Sequence, residues 1–130
     1  MNKIEINTDS VFISGVEYVP KGQQSLSPAL KVDGMEYVLV RTRSGGVHVG
    51  YRKPDVSYQQ NDIRLYKSRN LWYWSGAAAL NQLAIDGVSK PEFCKFTQEV
   101  DWIELTEVLA IYSVTQKAKD SIESVKVWKV

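Results

Sequence analysis

Apolar and polar positions alternate with a period of two along most of the chain and switch to a helical period in one internal stretch. Ile4 to Ile6 alternates with charged neighbours, and Val11-Phe12-Ile13 leads through Ser14-Gly15 to Val16-Glu17-Tyr18-Val19, which halts at Pro20. These runs predict short strands, and Lys21 to Pro28 has the composition of a loop. Residues 1–35 are therefore expected to form a strand-and-loop extension, with 36–130 as the main domain. Asp33-Gly34 is a turn signal before the β-prone run Tyr37 to Thr42. In a regular strand Tyr37, Leu39 and Arg41 share one face, and Val38, Val40 and Thr42 the other. Ser44-Gly45-Gly46 then supplies the flexible centre of a β-hairpin. Beyond it Val47, Val49 and Tyr51 oppose His48, Gly50 and Arg52, up to Pro54. A polar loop at Ser57 to Asn61 precedes another alternation, in which Ile63 and Leu65 point inward.

The helical period falls over residues 76–86. Ala77, Leu80, Leu83 and Ala84 build one apolar face. Ser75 is placed to cap the first turn, and Gly87 suits the residue after the last, with Val88 packing back on Leu83. Val100 to Tyr112 reads as one long strand or two with a bulge, with a buried-looking run at Val108-Leu109-Ala110-Ile111. Thr115 heads a short C-terminal helix over about 115–122, with Ala118 and Ile122 on its inner side. Val125 to Trp128 is a final strand or an anchored end. The expected class is α+β, mainly an antiparallel sheet with one well-defined helix and one short one.

At 130 residues the chain is large enough for one domain with a real core. A net charge of +1, from 16 basic and 15 acidic residues, argues against nonspecific DNA binding or membrane-surface binding. Any anion site must be a local cluster. Cys94 is the only cysteine, which excludes an intrachain disulfide and a cysteine-rich zinc site. No apolar run approaches a membrane span, and the first residues lack the pattern of a signal peptide, so a cytoplasmic location is expected.

No phosphate-binding Gly-rich loop, nucleophile-elbow motif or metal-ligand spacing is present, and the single His and single Cys carry no supporting signature. Catalysis, a metal and a cofactor are all unsupported by the residues. Two stretches can hold an anion instead. Arg41 and Arg43 lead into Ser44-Gly45-Gly46, whose successive N–H groups can form a concave nest, with Val47 and His48 following. Arg69-Asn70-Leu71-Trp72-Tyr73-Trp74-Ser75 places a guanidinium and three aromatic residues ahead of the helix. One face of that run is core, and the other can stack on a base. Two readings stay open for each: a ligand site, or a solvated hairpin paired to surface carboxylates and tryptophans packed in the core.

Arg43-Ser44-Gly45-Gly46-Val47-His48-Val49-Gly50, together with Leu71-Trp72-Tyr73-Trp74-Ser75-Gly76-Ala77-Ala78-Ala79-Leu80-Asn81-Gln82-Leu83-Ala84 and Gly87-Val88-Ser89-Lys90-Pro91, resembles a family of small phage and bacterial proteins of unknown function. The resemblance spans about residues 37 to 128. That family in turn looks like the Thoeris anti-defence 1 proteins, phage-encoded sponges that bind cyclic ADP-ribose-type signals, and in some members cyclic oligonucleotides, without cleaving them. The resemblance implies a β-rich homo-oligomer, from dimer to hexamer, acting in the host cytoplasm on an anionic cyclic nucleotide. It implies a pocket of Arg43, Gly45, Gly46, Val47 and His48 at a subunit interface, with Arg69 and the neighbouring Trp72 and Trp74 against another part of the ligand. The chain departs from the pattern at Asn70, where a second arginine is expected, and at Ser113-Val114-Thr115, where Pro-Cys-Thr is expected. The alternative is a non-catalytic phage accessory or structural protein that binds a partner protein through its aromatic patch.

Overall fold

The computed structural model describes residues 5–6, 11–13, 16–18, 27–54, 56 and 61–130. The expected turn at Ser14-Gly15, the loop over residues 21–26 and most of the Ser57 to Asn61 loop lie outside them. Strands β1 (Glu5–Ile6), β2 (Val11–Ile13) and β3 (Val16–Tyr18) pair antiparallel in that order. The next turn is made by Asp33 and Gly34, both at positive φ (52° and 75°), between the bridged residues Val32 and Met35. Two successive positive φ values define the hairpin turn for which Asp-Gly is the preferred pair.

The second sheet contains β4 (Glu36–Thr42), β5 (Val47–Arg52), β6 (Ile63–Tyr73), β7 (Lys95–Phe96), β8 (Val100–Leu105) and β9 (Val108–Ser113). Its order is β7-β6-β5-β4-β9, and β8 pairs with β6 beside β7. The expected Gly-centred hairpin is β4–β5, in which Val40 faces His48 and Arg41 faces Val47. Residues 100–112 form two strands, joined by Thr106 and Glu107 alone. That short joint dictates the shape of the sheet. Strands β8 and β9 lie four neighbours apart, about 19 Å in a flat sheet. Leu105 to Val108 spans three Cα steps, at most about 11 Å. The sheet must curl until its two ends meet, and Glu107 takes a φ of 54° at the joint.

Curling gives the sheet two buried faces. Val38, Val40, Ile63, Leu65 and Leu105 fill the inside of the curl. Tyr37, Leu39, Val49, Tyr51, Leu71 and Phe96 cover its outside and pack against the helices through Leu83, Ala118 and Ile122. Strand β6 serves both faces because it is bulged: Val49 pairs with Arg69 and Tyr51 with Tyr66, and Lys67 sits at a φ of 50°. Gly50 lies against this bulge. A Cβ there would stand 3.0 Å from Tyr66 O and 3.1 Å from the Leu65 Cβ.

Helix α1 covers Leu80–Asp86 and is shorter than the pattern predicts. Ser75 does not cap it. Gly76 takes a φ of 90°, close against Ser89 and Lys90, so the chain bends there before the helix begins. Gln82 Oε1 accepts the Ala78 N–H at 2.7 Å in place of a serine cap. At the other end Gly87 donates to Leu83 O, and Val88 packs in the same core as Leu83. Helix α2, Gln116–Glu123, is capped as expected: Thr115 Oγ1 accepts the Ala118 N–H at 3.0 Å, and Ala118 and Ile122 are buried. The tail is anchored, with Val127 bridged to Phe96 and the Trp128 N–H donating to Phe96 O at 2.8 Å.

One expected core segment is not buried. Leu109 is 59 % exposed and Ile111 41 %, because the β4–β9 register shifts between Arg41 and Thr42 and β9 lies at a sheet edge. Among the described residues no helix is long and apolar enough to cross a membrane.

Candidate functional site

The hairpin end is built by the β4–β5 turn. Gly46 takes a φ of 85°, and its carbonyl accepts from both the N–H and the Oγ1 of Thr42, at 3.0 Å each. His48 closes the loop from below: its ring is buried, and Nε2 donates to Gly45 O at 2.8 Å. Burial lowers its pKa, and the bond to Gly45 opposes the shift. His48 therefore shapes the loop and offers no proton to a ligand. Val47 turns toward the core on the outer face. What remains exposed is Arg41, Arg43, Ser44, Gly45 and Gly46. Neither arginine has a carboxylate partner among the described residues. The turn is also tied to the β8–β9 joint, through Arg43 N–H to Glu107 O at 3.0 Å.

The aromatic run of β6 separates into three environments. Arg69 belongs to the interior: its guanidinium donates to Thr97 O at 2.8 Å, Ile122 O at 3.1 Å, Val125 O at 3.1 Å and Phe96 O at 3.3 Å. With Nε, Nη1 and Nη2 all engaged, it binds β6 to β7 and to the end of α2 and has no face left for a ligand. Trp74 lies past the strand end, half-buried against the outer core. Trp72 is 58 % exposed and stacks on Trp128, with ring centroids 4.8 Å apart and planes inclined by 25°. Lys95 Nζ lies 5.3 Å from one ring and 5.6 Å from the other.

The sheet register brings this stack to the hairpin end. His48 faces Asn70, so Gly46 and Trp72 come next along the same face of the two strands. The Asn70 carboxamide fills the step between them, its Oδ1 lying 3.9 Å from where a Gly46 Cβ would be. Of the nine residues the sequence singles out, Arg41, Arg43, Gly45, Gly46 and Trp72 are presented to solvent at this end, whereas Val47, His48, Arg69 and Trp74 serve the interior. Sequence reasoning misses Lys95 and Trp128. Trp128 reaches Trp72 only through the bridge of the tail to Phe96, a pairing that no local pattern announces.

Among the described residues, clefts lie elsewhere on the surface. One of 540 Å³ runs between Pro28–Lys31 and Tyr37, Val38, Ile111 and Val114; another of 380 Å³ is lined by Pro91, Glu92, Cys94, Ser124 and Lys126. Neither is lined by any of the nine candidates. Among the described residues no group of His, Cys, Asp and Glu could hold a metal ion. Cys94 bonds to Lys90 O at 3.4 Å and accepts the Ser75 N–H at 3.4 Å, separately from His48.

Residues 35–122 match the model of one family, described as a domain of unknown function, DUF6948. No curated protein and no solved structure matches the chain.

Proposed function

From a chain that belongs to the uncharacterised domain family DUF6948, we propose a non-catalytic binding protein that sequesters an anionic cyclic nucleotide without cleaving it. The observation that carries this reading is the exposed Trp72–Trp128 stack under Lys95, on the same sheet face as Gly46, in a turn that follows Arg41 and Arg43, neither of which has a carboxylate partner among the described residues. Each half suits one part of a nucleotide. An aromatic platform contributes roughly 1–3 kcal/mol per stacked base. An Arg fork and a run of loop N–H groups suit a phosphate. The likeness of the two motifs to the Thoeris anti-defence 1 proteins supports a cyclic ADP-ribose isomer or a cyclic oligonucleotide as the ligand. It also supports a phage origin and action in the host cytoplasm. An open surface holds a charged ligand weakly, so a second copy of the chain would close over it in a homo-oligomer, from dimer to hexamer.

The test is to denature the purified protein, identify released small molecules, and titrate cyclic ADP-ribose isomers and cyclic di- and trinucleotides. Intact nucleotide released, and Arg43→Ala weakening its binding by roughly tenfold or more with the unfolding midpoint unchanged, would support the reading. Altered nucleotide would indicate an enzyme. No binding across the panel would favour the alternative, a partner-protein binder, to which the exposed Leu109 and Ile111 on β9 also lend support.

A further inference from the structure

A second cluster of cations and aromatic rings lies at the other half of β6. Tyr66 faces Trp102, and Arg64 faces Glu104, across the β6–β8 pair. Strand alternation sets these four residues on one face. The Arg64 guanidinium carbon lies 4.3 Å from the Trp102 ring centroid, and Lys53 Nζ lies 4.9 Å from that of Tyr66. The two cations, Arg64 foremost, lower the pKa of the Tyr66 hydroxyl.

Three features of this cluster are unspent. Lys53 has no carboxylate partner among the described residues, and Arg64 gives Glu104 one long bond of 3.3 Å from Nη2. The Arg64 Nε–H is buried with no acceptor among the described residues, a condition that folded proteins rarely leave standing. Finally, the Tyr66 hydroxyl has its own proton to donate. Lys53 and the Tyr66 hydroxyl can both donate to an oxyanion held beside the Arg64 charge. Beside them Trp102 is 52 % exposed, with a guanidinium stacked on its ring, the kind of planar platform on which bases stack.

We propose that Lys53, Arg64, Tyr66 and Trp102 form a second ligand site that takes a nucleoside phosphate. The phosphate lies between Lys53 and Arg64 and accepts from the Tyr66 hydroxyl, and the base stacks on the Trp102–Arg64 pair. The site is separate from the hairpin end, because the Lys67 bulge stands between Tyr66 and Asn70 and turns them to opposite faces of β6. It does not depend on what binds there.

The four indole N–H signals of the full chain, labelled with 15N-tryptophan and assigned with Trp102→Phe, give the test. AMP should move the Trp102 signal saturably, in the parent chain and equally in Trp72→Ala, whereas adenosine and inorganic phosphate alone should each bind more weakly. Lys53→Met removes one charge, and Arg64→Lys keeps the charge but loses the planar stack. Each should weaken AMP by about tenfold. Tyr66→Phe, which keeps the ring and removes only the proton donor, should weaken it by a smaller factor. Dispersed amide spectra confirm that each variant folds. No movement of Trp102 at millimolar AMP, or inorganic phosphate binding as tightly as AMP, overturns the proposal. Movement that disappears in Trp72→Ala overturns it as well, by assigning the response to the hairpin end.

Discussion

Replacing Arg69 by Met tests whether this residue belongs to the scaffold or to a ligand site. The guanidinium bonds four carbonyls, but their losses differ. Phe96 O keeps the Trp128 N–H at 2.8 Å, and Ile122 O keeps the Val125 N–H at 3.2 Å. Thr97 O and Val125 O have no other donor among the described residues. Two orphaned acceptors at about 1–3 kcal/mol each set the scale. Removing a buried charge returns part of its desolvation cost, and the Met side chain fills part of the space. The expected loss is about 2–4 kcal/mol, a large share of the roughly 5–15 kcal/mol that holds a domain together. Arg69→Lys should fall in between, because three donors on one point charge cannot span four acceptors from two segments. Urea unfolding followed by tryptophan fluorescence measures this, with a shifted midpoint at constant slope as the signature. A midpoint within about 0.5 kcal/mol of the parent would refute the scaffold role. Weaker nucleotide binding at unchanged stability would return Arg69 to the ligand site.

Two further outcomes follow from the same geometry. Because burial lowers the His48 pKa, the unfolded chain takes up the proton first as pH falls. Stability from His48 is thus complete above about pH 6.5 and declines as pH falls from there toward the lowered folded-state value. His48→Gln, which can still donate to Gly45 O, should flatten that decline when urea midpoints are compared from about pH 7.5 to 5; an unchanged slope would refute the assignment. Gly87→Ala and Gly34→Ala compare two glycines of similar φ, 76° and 75°, of which Gly87 is both crowded and, at a ψ of −146°, in a region that only glycine enters readily. A Cβ at Gly87 runs into the Ser121 side chain, whereas one at Gly34 meets nothing within 4 Å. Gly34→Ala should cost about 1–2 kcal/mol by thermal unfolding, and Gly87→Ala at least about 2 kcal/mol more. Equal costs would refute both the crowding and the added backbone strain at Gly87.

Local patterns carry the hairpin, both helices and the strand character of residues 100–112, though not its division into two strands, because each rests on neighbours in sequence. Thr115 caps α2 and Asp33-Gly34 turns the chain for reasons contained in four residues. The errors lie where distant segments decide. Ser75 has the chemistry of a cap, but the crowding of Gly76 by Ser89 and Lys90 moves the helix start to Leu80. Val108 to Ile111 has a core composition, but its place at the sheet edge leaves Leu109 and Ile111 half in water. For Arg69, which has the chemistry of a phosphate ligand, only the approach of residues 96–125 reveals the carbonyls that its guanidinium bonds. Sequence leaves the exposure of Trp72 open, and it is the fold that leaves the ring 58 % exposed and stacks it on Trp128.

The Lys67 bulge is the single backbone feature on which the arrangement of both proposed sites depends. Before it, Ile63 and Leu65 enter the curl while Arg64 and Tyr66 face outward. In an unbroken strand Arg69 and Leu71 would follow Ile63 and Leu65 into the same apolar interior. The extra residue reverses the phase, so Arg69 and Leu71 reach the outer core and the carbonyls at the end of α2, and Asn70 and Trp72 come onto the face of the glycine turn. Gly50 completes the device, since the bulged strand passes so close that a side chain there would meet Tyr66 O and Leu65. One strand thereby presents a cationic aromatic surface on each side of the sheet, and a one-residue shift at Lys67 would bury a guanidinium in hydrocarbon and disperse both.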